Sequence, residues 1–185
     1  MRYPAEETAE KHDRILAQAS KMFRERGFGG AGVAEIMKAA GLTHGAFYAH
    51  FPSKDALAAE ALGCALAELY ERNSAQGEQE PDQKRAFLRS YLSEAHRDRM
   101  GEGCAIAALG SDVARSPAMR EPFTAGVRRV LDKMARSFGW KGRARRNAIH
   151  MLAATTGALV LARAVDDPAL SKEILDSVRE DLSAL

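Results

Sequence analysis

The chain has 185 residues, 46% of them hydrophobic and 28% charged, with a formal net charge of +2. That is enough apolar content for a folded domain, or two small ones sharing a core, and it excludes an intrinsically disordered chain. A charge this small excludes a polycation, so any nucleic-acid binding must come from local placement of basic groups. Two cysteines, Cys64 and Cys104, lie far apart without CxxC spacing, which argues against a zinc site or a disulfide scaffold and for a reducing cytoplasm. The N-terminal stretch MRYPAEETAEKHDR has no apolar core, and no later stretch reaches the ~18 uninterrupted apolar residues of a membrane helix. The expected location is cytoplasmic, with no membrane partner.

Apolar residues recur at helical spacing from the start: Ile15, Leu16, Ala19, Met22 and Phe23 share one side of a first helix. A second apolar helix over 33–40 ends before Gly41, a position where a helix commonly closes on a left-handed residue. The next stretch, THGAFYAHFPSKDAL, predicts a short third helix. Thr43 is placed to cap it by accepting from the amide of Ala46, with Leu42 and Phe47 forming a hydrophobic staple. Phe47 and Phe51, four apart, face the first two helices; His44 and Tyr48, also four apart, face away. Gly45, Ala46 and Ala49 keep the helix slim enough to approach base edges, and Ala49 suits a thymine methyl. Helix, turn and second short helix is the arrangement that enters a DNA major groove. His44 and Lys54 each fall at the first position of a helix, where the macrodipole disfavours positive charge. An external phosphate held by Lys54 and the amides following Ser53 resolves that conflict. Short aromatic helices also occur in plain bundles, which is the competing reading of the same residues.

A long helix follows over about 53–72, with Leu57, Ala58, Ala61, Leu62, Ala65, Leu66 and Leu69 on one side. Residues 73–82, NSAQGEQEPD, are polar and aperiodic and mark a boundary. Beyond it the helical period returns in Phe87, Leu88, Tyr91 and Leu92, in Met119, Phe123, Val127, Val130, Leu131 and Met134, and in Leu170, Ile174, Leu175, Val178 and Leu182. The helix carrying Ile106, Leu109 and Val113 also bears Cys104, Ala107 and Ala108 on its other side and is expected to be central. Ser116-Pro117 reads as an N-cap followed by proline at the first helical position, and Asp167-Pro168 as a further break. No strand is expected. The fold class is all-α: an N-terminal three-helix unit over 1–52, and a second domain over 53–185 that opens with the connecting helix 53–72 and continues as a bundle of about five helices.

At these residues the sequence resembles the TetR family of bacterial transcriptional regulators. The likeness runs from ILAQASKMFRERGFGGAGVAEIMKAAG through THGAFYAHFPSKDAL, about the first third of the chain; GCAIAALGSDVARS and GALVLARAVDDPALSKEIL look like segments of one subgroup. The resemblance implies a homodimer that binds a palindromic double-stranded operator and is released when a small-molecule ligand enters the C-terminal bundle. It gives base contacts to His44, Gly45 and Ala49 and phosphate contacts to Thr43, Tyr48, His50 and Lys54. One departure stands out. Family members usually begin the second helix with threonine or serine hydroxyls, where this chain has Ala31 and Gly32. The backbone amides must serve there without side-chain help, so Ala31 is assigned no contact.

In the C-terminal half, Ala153, Ala154, Gly157, Ala158 and Ala162 recur at helical spacing, which permits close packing of another helix. With the last helix they are expected to form a four-helix dimer interface, intramolecular packing being the alternative. A ligand cavity, drawn from family architecture, is expected to be walled by Leu66, Tyr70, Tyr91, Cys104, Ala108, Phe123 and Val127. Cys104 follows Gly103 at a helix start, where a thiol pKa can fall, against the plainer reading of a small buried hydrophobe. The basic run KGRARR and the single histidines His12, His96 and His150 receive no role. No GxSxG, Glu-x-x-His pair or phosphate loop is present, so no enzyme and no cofactor are expected. The alternative to a DNA-binding regulator is a ligand-sensing or protein-interaction helical module without operator binding.

Overall fold

The apolar stripe of the first helix folds as read. In the computed structural model, which describes residues 5–77 and 82–184 (side chains over 7–68 and 82–184), helix α1 (Ala5–Gly30) buries Ile15, Leu16, Ala19, Met22 and Phe23. Its ladder breaks at Gly27, whose φ of 73° and ψ of 172° are open to glycine and strained for other residues. Helix α2 (Val33–Ala39) follows from Gly32, then a six-residue 3-10 helix, His44–Ala49, hereafter the recognition helix. Helix α3 (Lys54–Gly77) starts at Ser53, whose hydroxyl accepts from the Ala56 amide at 3.1 Å. It runs past the expected end at 72, through the polar residues Asn73–Gly77. Loss of apolar periodicity does not by itself end a helix, and no proline intervenes before Pro81.

The second half is α4 (Gln83–Tyr91), α5 (Glu94–Asp98), α6 (Ala105–Arg115), α7 (Arg120–Ser137), α8 (Ala144–Ala164) and α9 (Pro168–Ser183). The break expected at Asp167-Pro168 is present, and it is also a capped helix start: Asp167 accepts from the amides of Ala169 and Leu170, with Pro168 at the first helical position of α9. Ser116, expected to cap a helix, makes no side-chain cap bond; Pro117 does stand at a first helical position, but of a single 3-10 turn, Pro117–Met119. Among the described residues there is no strand, and no helix is long and apolar enough to cross a membrane.

Two apolar clusters hold the molecule together. One joins Ile15, Phe23, Ile36, Met37, Phe47, Phe51, Leu57, Leu62 and Leu66 to Leu109, Val113 and Met119. The other gathers Phe87, Leu88, Tyr91 and Leu92 with Val130, Met134, Met151, Leu152, Leu159, Leu175 and Leu182. Helix α6 spans both, packing on α1, α3, α7 and α8, and Ile106 touches both clusters. Its central position follows from being apolar on more than one side. Burial of a single leucine contributes about 1.5–3 kcal/mol, so the end of α6 that carries Leu109 and Val113 is firmly anchored to the N-terminal core.

The small residues of α8 divide. Ala158 and Ala162 are buried within the chain, so they are taken up by intramolecular packing, whereas Ala153 is exposed and Gly157 faces open space. Ile149, Val160 and Leu161 are exposed beside them. The stripe of α9 is largely spent internally, with Leu175 and Leu182 buried and Leu170 outward.

Candidate nucleic-acid interface

The turn into the recognition helix is set by backbone chemistry. Gly41 has φ of 72°; its amide bonds Lys38 O at 3.0 Å and the Leu42 amide bonds Met37 O at 2.8 Å, the paired bonds of a Schellman ending. Arg14 on α1 donates to the Ala40 carbonyl, and a Cβ on Gly41 would lie 2.7 Å from its guanidinium. No sequence signal marks Arg14 for this task.

Thr43 departs from expectation. Its carbonyl, and not its hydroxyl, accepts from Ala46 N–H, at 3.1 Å, and no side-chain cap bond forms. The reason is the helix type: a 3-10 ladder bonds i to i+3, so the backbone takes the amide that a side-chain cap would have used. The hydroxyl of Thr43 is left on an exposed residue.

Phe47 and Phe51 are each 2% exposed, with ring centroids 5.9 Å apart, and Leu42 and Ala46 pack against the same cluster. Anchored from below, the recognition helix turns His44, Gly45, Tyr48 and Ala49 outward, Tyr48 with 71% of its surface exposed. Lys54 opens α3 and is half-buried. Among the described residues the side chains of His44 and Lys54 have no hydrogen bond or ion pair. Ala31 is fully buried, and Gly32 caps α2 through its carbonyl alone, which accepts from Glu35 and Ile36.

His50 closes the recognition helix, and here the structure adds a residue that sequence reading passed over. His12 of α1 stacks on Phe51 with centroids 4.5 Å apart, donates from Nε2 to Glu60 Oε1 at 2.8 Å, and stands 6.0 Å from the His50 ring. Burial, then the nearby His12 and Lys11, hold His50 below the usual imidazole range.

The residues expected to line a cavity fall on both cores. Leu66, Ala108 and Phe123 pack with the first cluster, and Tyr91, Cys104 and Val127 with the second; the side chain of Tyr70 lies outside the described residues. Gly126 lets α7 approach Leu66 so closely that a Cβ would sit 2.4 Å from Cδ1. Cys104 precedes α6 and is fully buried. Burial raises its pKa, against the opposing effects of a bond to Tyr91 and of the Ala107 and Ile106 amides. The helix start therefore acts in the expected direction and loses to desolvation. His96 binds this cluster, Nδ1 to the Tyr91 carbonyl at 2.7 Å and Nε2 accepting from the Cys104 amide at 3.0 Å, which requires the Nδ1–H tautomer. Arg163 donates to the carbonyls of His96 and Arg97 at 2.9 and 3.0 Å. Burial and the neighbouring Cys104 push the Tyr91 phenol well above its usual range.

An all-α chain with a slim, outward-facing short helix set on a buried aromatic base defines a helix-turn-helix protein. Residues 15–61 match the family described as "Bacterial regulatory proteins, tetR family". The chain is 29% identical to the HTH-type transcriptional repressor DhaR of Mycobacterium sp. (strain GP1) over 112 residues, 57% of each protein. It is 42% identical to the HTH-type transcriptional regulator YerO of Bacillus subtilis (strain 168) over 48 residues, 26% of this chain and 17% of that protein. The matched stretches thus span about half of one relative and about a sixth of the other. Among solved structures, the reduced form of E. coli NemR superposes with a TM-score of 0.79 at 23% identity over 95% of this chain and 96% of that one. A TetR-family regulator from Agrobacterium tumefaciens gives 0.78 at 24% identity over 94% and 98%. The N-terminal segment is thus similar to the TetR family over residues 15–61, and almost the whole chain shares its fold with these solved regulators. Both of these relatives are named as HTH-type transcriptional regulators.

Proposed function

We propose that this chain is a sequence-specific DNA-binding repressor that acts as a homodimer on a palindromic operator and releases it when a small molecule occupies the C-terminal bundle. The observation that carries the reading is the outer face of the recognition helix: His44 and Tyr48 point outward, with Lys54 at the next helix start, above a base of buried Phe47 and Phe51. His44, Gly45 and Ala49 contact bases; Thr43, Tyr48, His50 and Lys54 contact phosphates. The N-terminal unit ends near 52, and the remainder senses and dimerises.

Dimerisation is drawn to α8, where Ile149, Ala153, Val160 and Leu161 leave an apolar stripe on the surface. Two recognition helices then sit about 34–36 Å apart on DNA, and a ligand that changes this spacing weakens binding. The walls of the ligand site are Leu66, Tyr70, Tyr91, Cys104, Ala108, Phe123 and Val127.

Selection of random duplexes by the purified protein, followed by titration of the enriched sequence at several salt concentrations, tests the reading. A palindrome whose affinity falls steeply with salt supports it. No enrichment at low salt from a folded dimer favours a ligand-sensing module without operator binding, a reading to which Gly32 and buried Ala31, lacking the usual hydroxyls, lend their weight.

A further inference from the structure

Helix α1 is broken three residues before its end. At Gly27 the backbone leaves helical geometry, so the Phe28 amide opens a new short turn and, like any helix start, needs an acceptor from elsewhere. The acceptor comes from across the molecule: Asp112 Oδ2, on α6, takes the Phe28 N–H at 3.2 Å. Its other oxygen, Oδ1, accepts from Arg115 at 2.7 Å. Glycine is required twice over at this point, because φ is 73° and because a Cβ would lie 2.5 Å from Asp112 Oδ2.

The position of this bond matters more than its strength. From Phe28, whose ring packs edge-on against Phe23 at 5.4 Å, the chain runs through buried Ala31 and the Gly32 cap directly into α2 and so into the recognition helix. At its other end α6 begins at Cys104 in the second core, while Leu109 and Val113, on either side of Asp112, lie in the first. Asp112 is thus where a helix rooted in the C-terminal core takes hold of the backbone that aims the DNA-facing unit. Its opposite number at the start of α6 is the Gly103 carbonyl, which Arg24 of α1 reaches only at 3.5 Å.

We propose that Asp112 is a positioning residue for duplex binding: held on α6, its carboxylate caps the broken α1 at Phe28 and sets the direction in which α2 and the recognition helix leave α1. This rests on the DNA-binding reading above. Asp112 touches no DNA; it acts through the Phe28 backbone.

The test uses the full chain and the duplex enriched by selection, with affinity read by fluorescence anisotropy and folding by thermal melting. Asp112→Ala is expected to weaken binding about tenfold or more while remaining folded at the assay temperature. Asp112→Asn, which keeps an acceptor oxygen, stays within about threefold of wild type, and Arg115→Ala, which removes only the outer partner, within about twofold. Hydrogen exchange of the Phe28 amide in the wild-type protein reads the bond without any variant, so failure of Asp112→Ala to fold leaves a decisive measurement. Protection like that of neighbouring helical amides supports the role, and exchange at the rate of an open loop overturns it. Equal binding by wild type and Asp112→Ala overturns this role alone; a wild type that binds no duplex sinks the DNA-binding reading and this role with it. An Asp112→Asn variant as weak as Asp112→Ala also overturns the capping account.

Discussion

Two polar clusters in this molecule are built on opposite rules. Around buried Tyr91 and Cys104 the polar groups are satisfied within the chain: half-buried His96 bridges a carbonyl and an amide, and half-buried Arg163 covers the carbonyls of His96 and Arg97. On the recognition helix the polar groups stand outside an aromatic base, and His44 and Lys54 have no internal partner among the described residues. Buried polar groups without partners are costly, so a satisfied buried network is what folding alone would produce. Folding has no comparable use for Tyr48 held 71% exposed above a core ring. The difference separates residues that serve the fold from residues available to a partner.

The sharpest way to break this comparison is to truncate adjacent aromatics. Phe47→Ala is expected to lose about 3–5 kcal/mol of stability in chemical denaturation, because a core ring leaves a cavity. Tyr48→Ala is expected to stay within about 0.5 kcal/mol of wild type in the same experiment and still bind duplex more weakly. Equal destabilisation by both would mean that Tyr48 belongs to the fold.

Next in size are two positions on the outer face, His44 and Lys54. His44→Ala should change preference at one base pair by about 1–3 kcal/mol in competition with variant duplexes. Lys54→Ala should weaken all duplexes alike and reduce the salt slope by about one. Unchanged affinity and slope in both variants would remove these residues from the interface.

A smaller effect is expected from His50. Its pKa is lowered in the folded protein by burial, then by His12 and Lys11. The neutral ring therefore contributes stability that is present above the unfolded pKa and is lost as pH falls through the lower folded value. The proposed phosphate contact would favour the protonated ring, so duplex binding is expected to take up a proton and affinity to rise as pH falls through about 6.5. His50→Gln should flatten that dependence, and an unaltered slope would place the titrating group elsewhere.

The smallest expected effect tests the buried cluster. Burial raises the pKa of both cysteines, but Cys64 is partly exposed and Cys104 fully buried. A thiol-directed alkylating reagent should modify Cys64 first in the native protein, with Cys104 reacting at the rate of unfolding. Faster labelling of Cys104, read by peptide mass mapping, would give that thiol an accessible state which the satisfied cluster does not suggest.

Much of this architecture is legible in local sequence because its causes are local. The 3.6-residue apolar period places α1, α3 and α9, since one face of each must be buried. Gly41 announces its turn because a left-handed residue is costly for any side chain, and Asp167-Pro168 announces a break because proline cannot continue a helix. The same spacing separates the inner pair Phe47 and Phe51 from the outer pair His44 and Tyr48.

Tertiary structure decided what depends on groups distant in sequence. The 3-10 geometry that displaces the Thr43 hydroxyl from its cap, the division of the α8 alanines between the core and the surface, and the continuation of α3 through Gly77 are not written in any short pattern. Desolvation of Cys104 outweighs its helix start only because separate helices close over it. His12 reaches Phe51, Arg14 reaches Ala40 and Asp112 reaches Phe28 across separations of 39, 26 and 84 residues. The sequence by itself determined which residues form helices and which faces turn inward, since periodicity and turn chemistry act within a few residues. Which polar groups meet was decided by packing, because a hydrogen bond requires two atoms within about 3 Å and chain order carries no such distance.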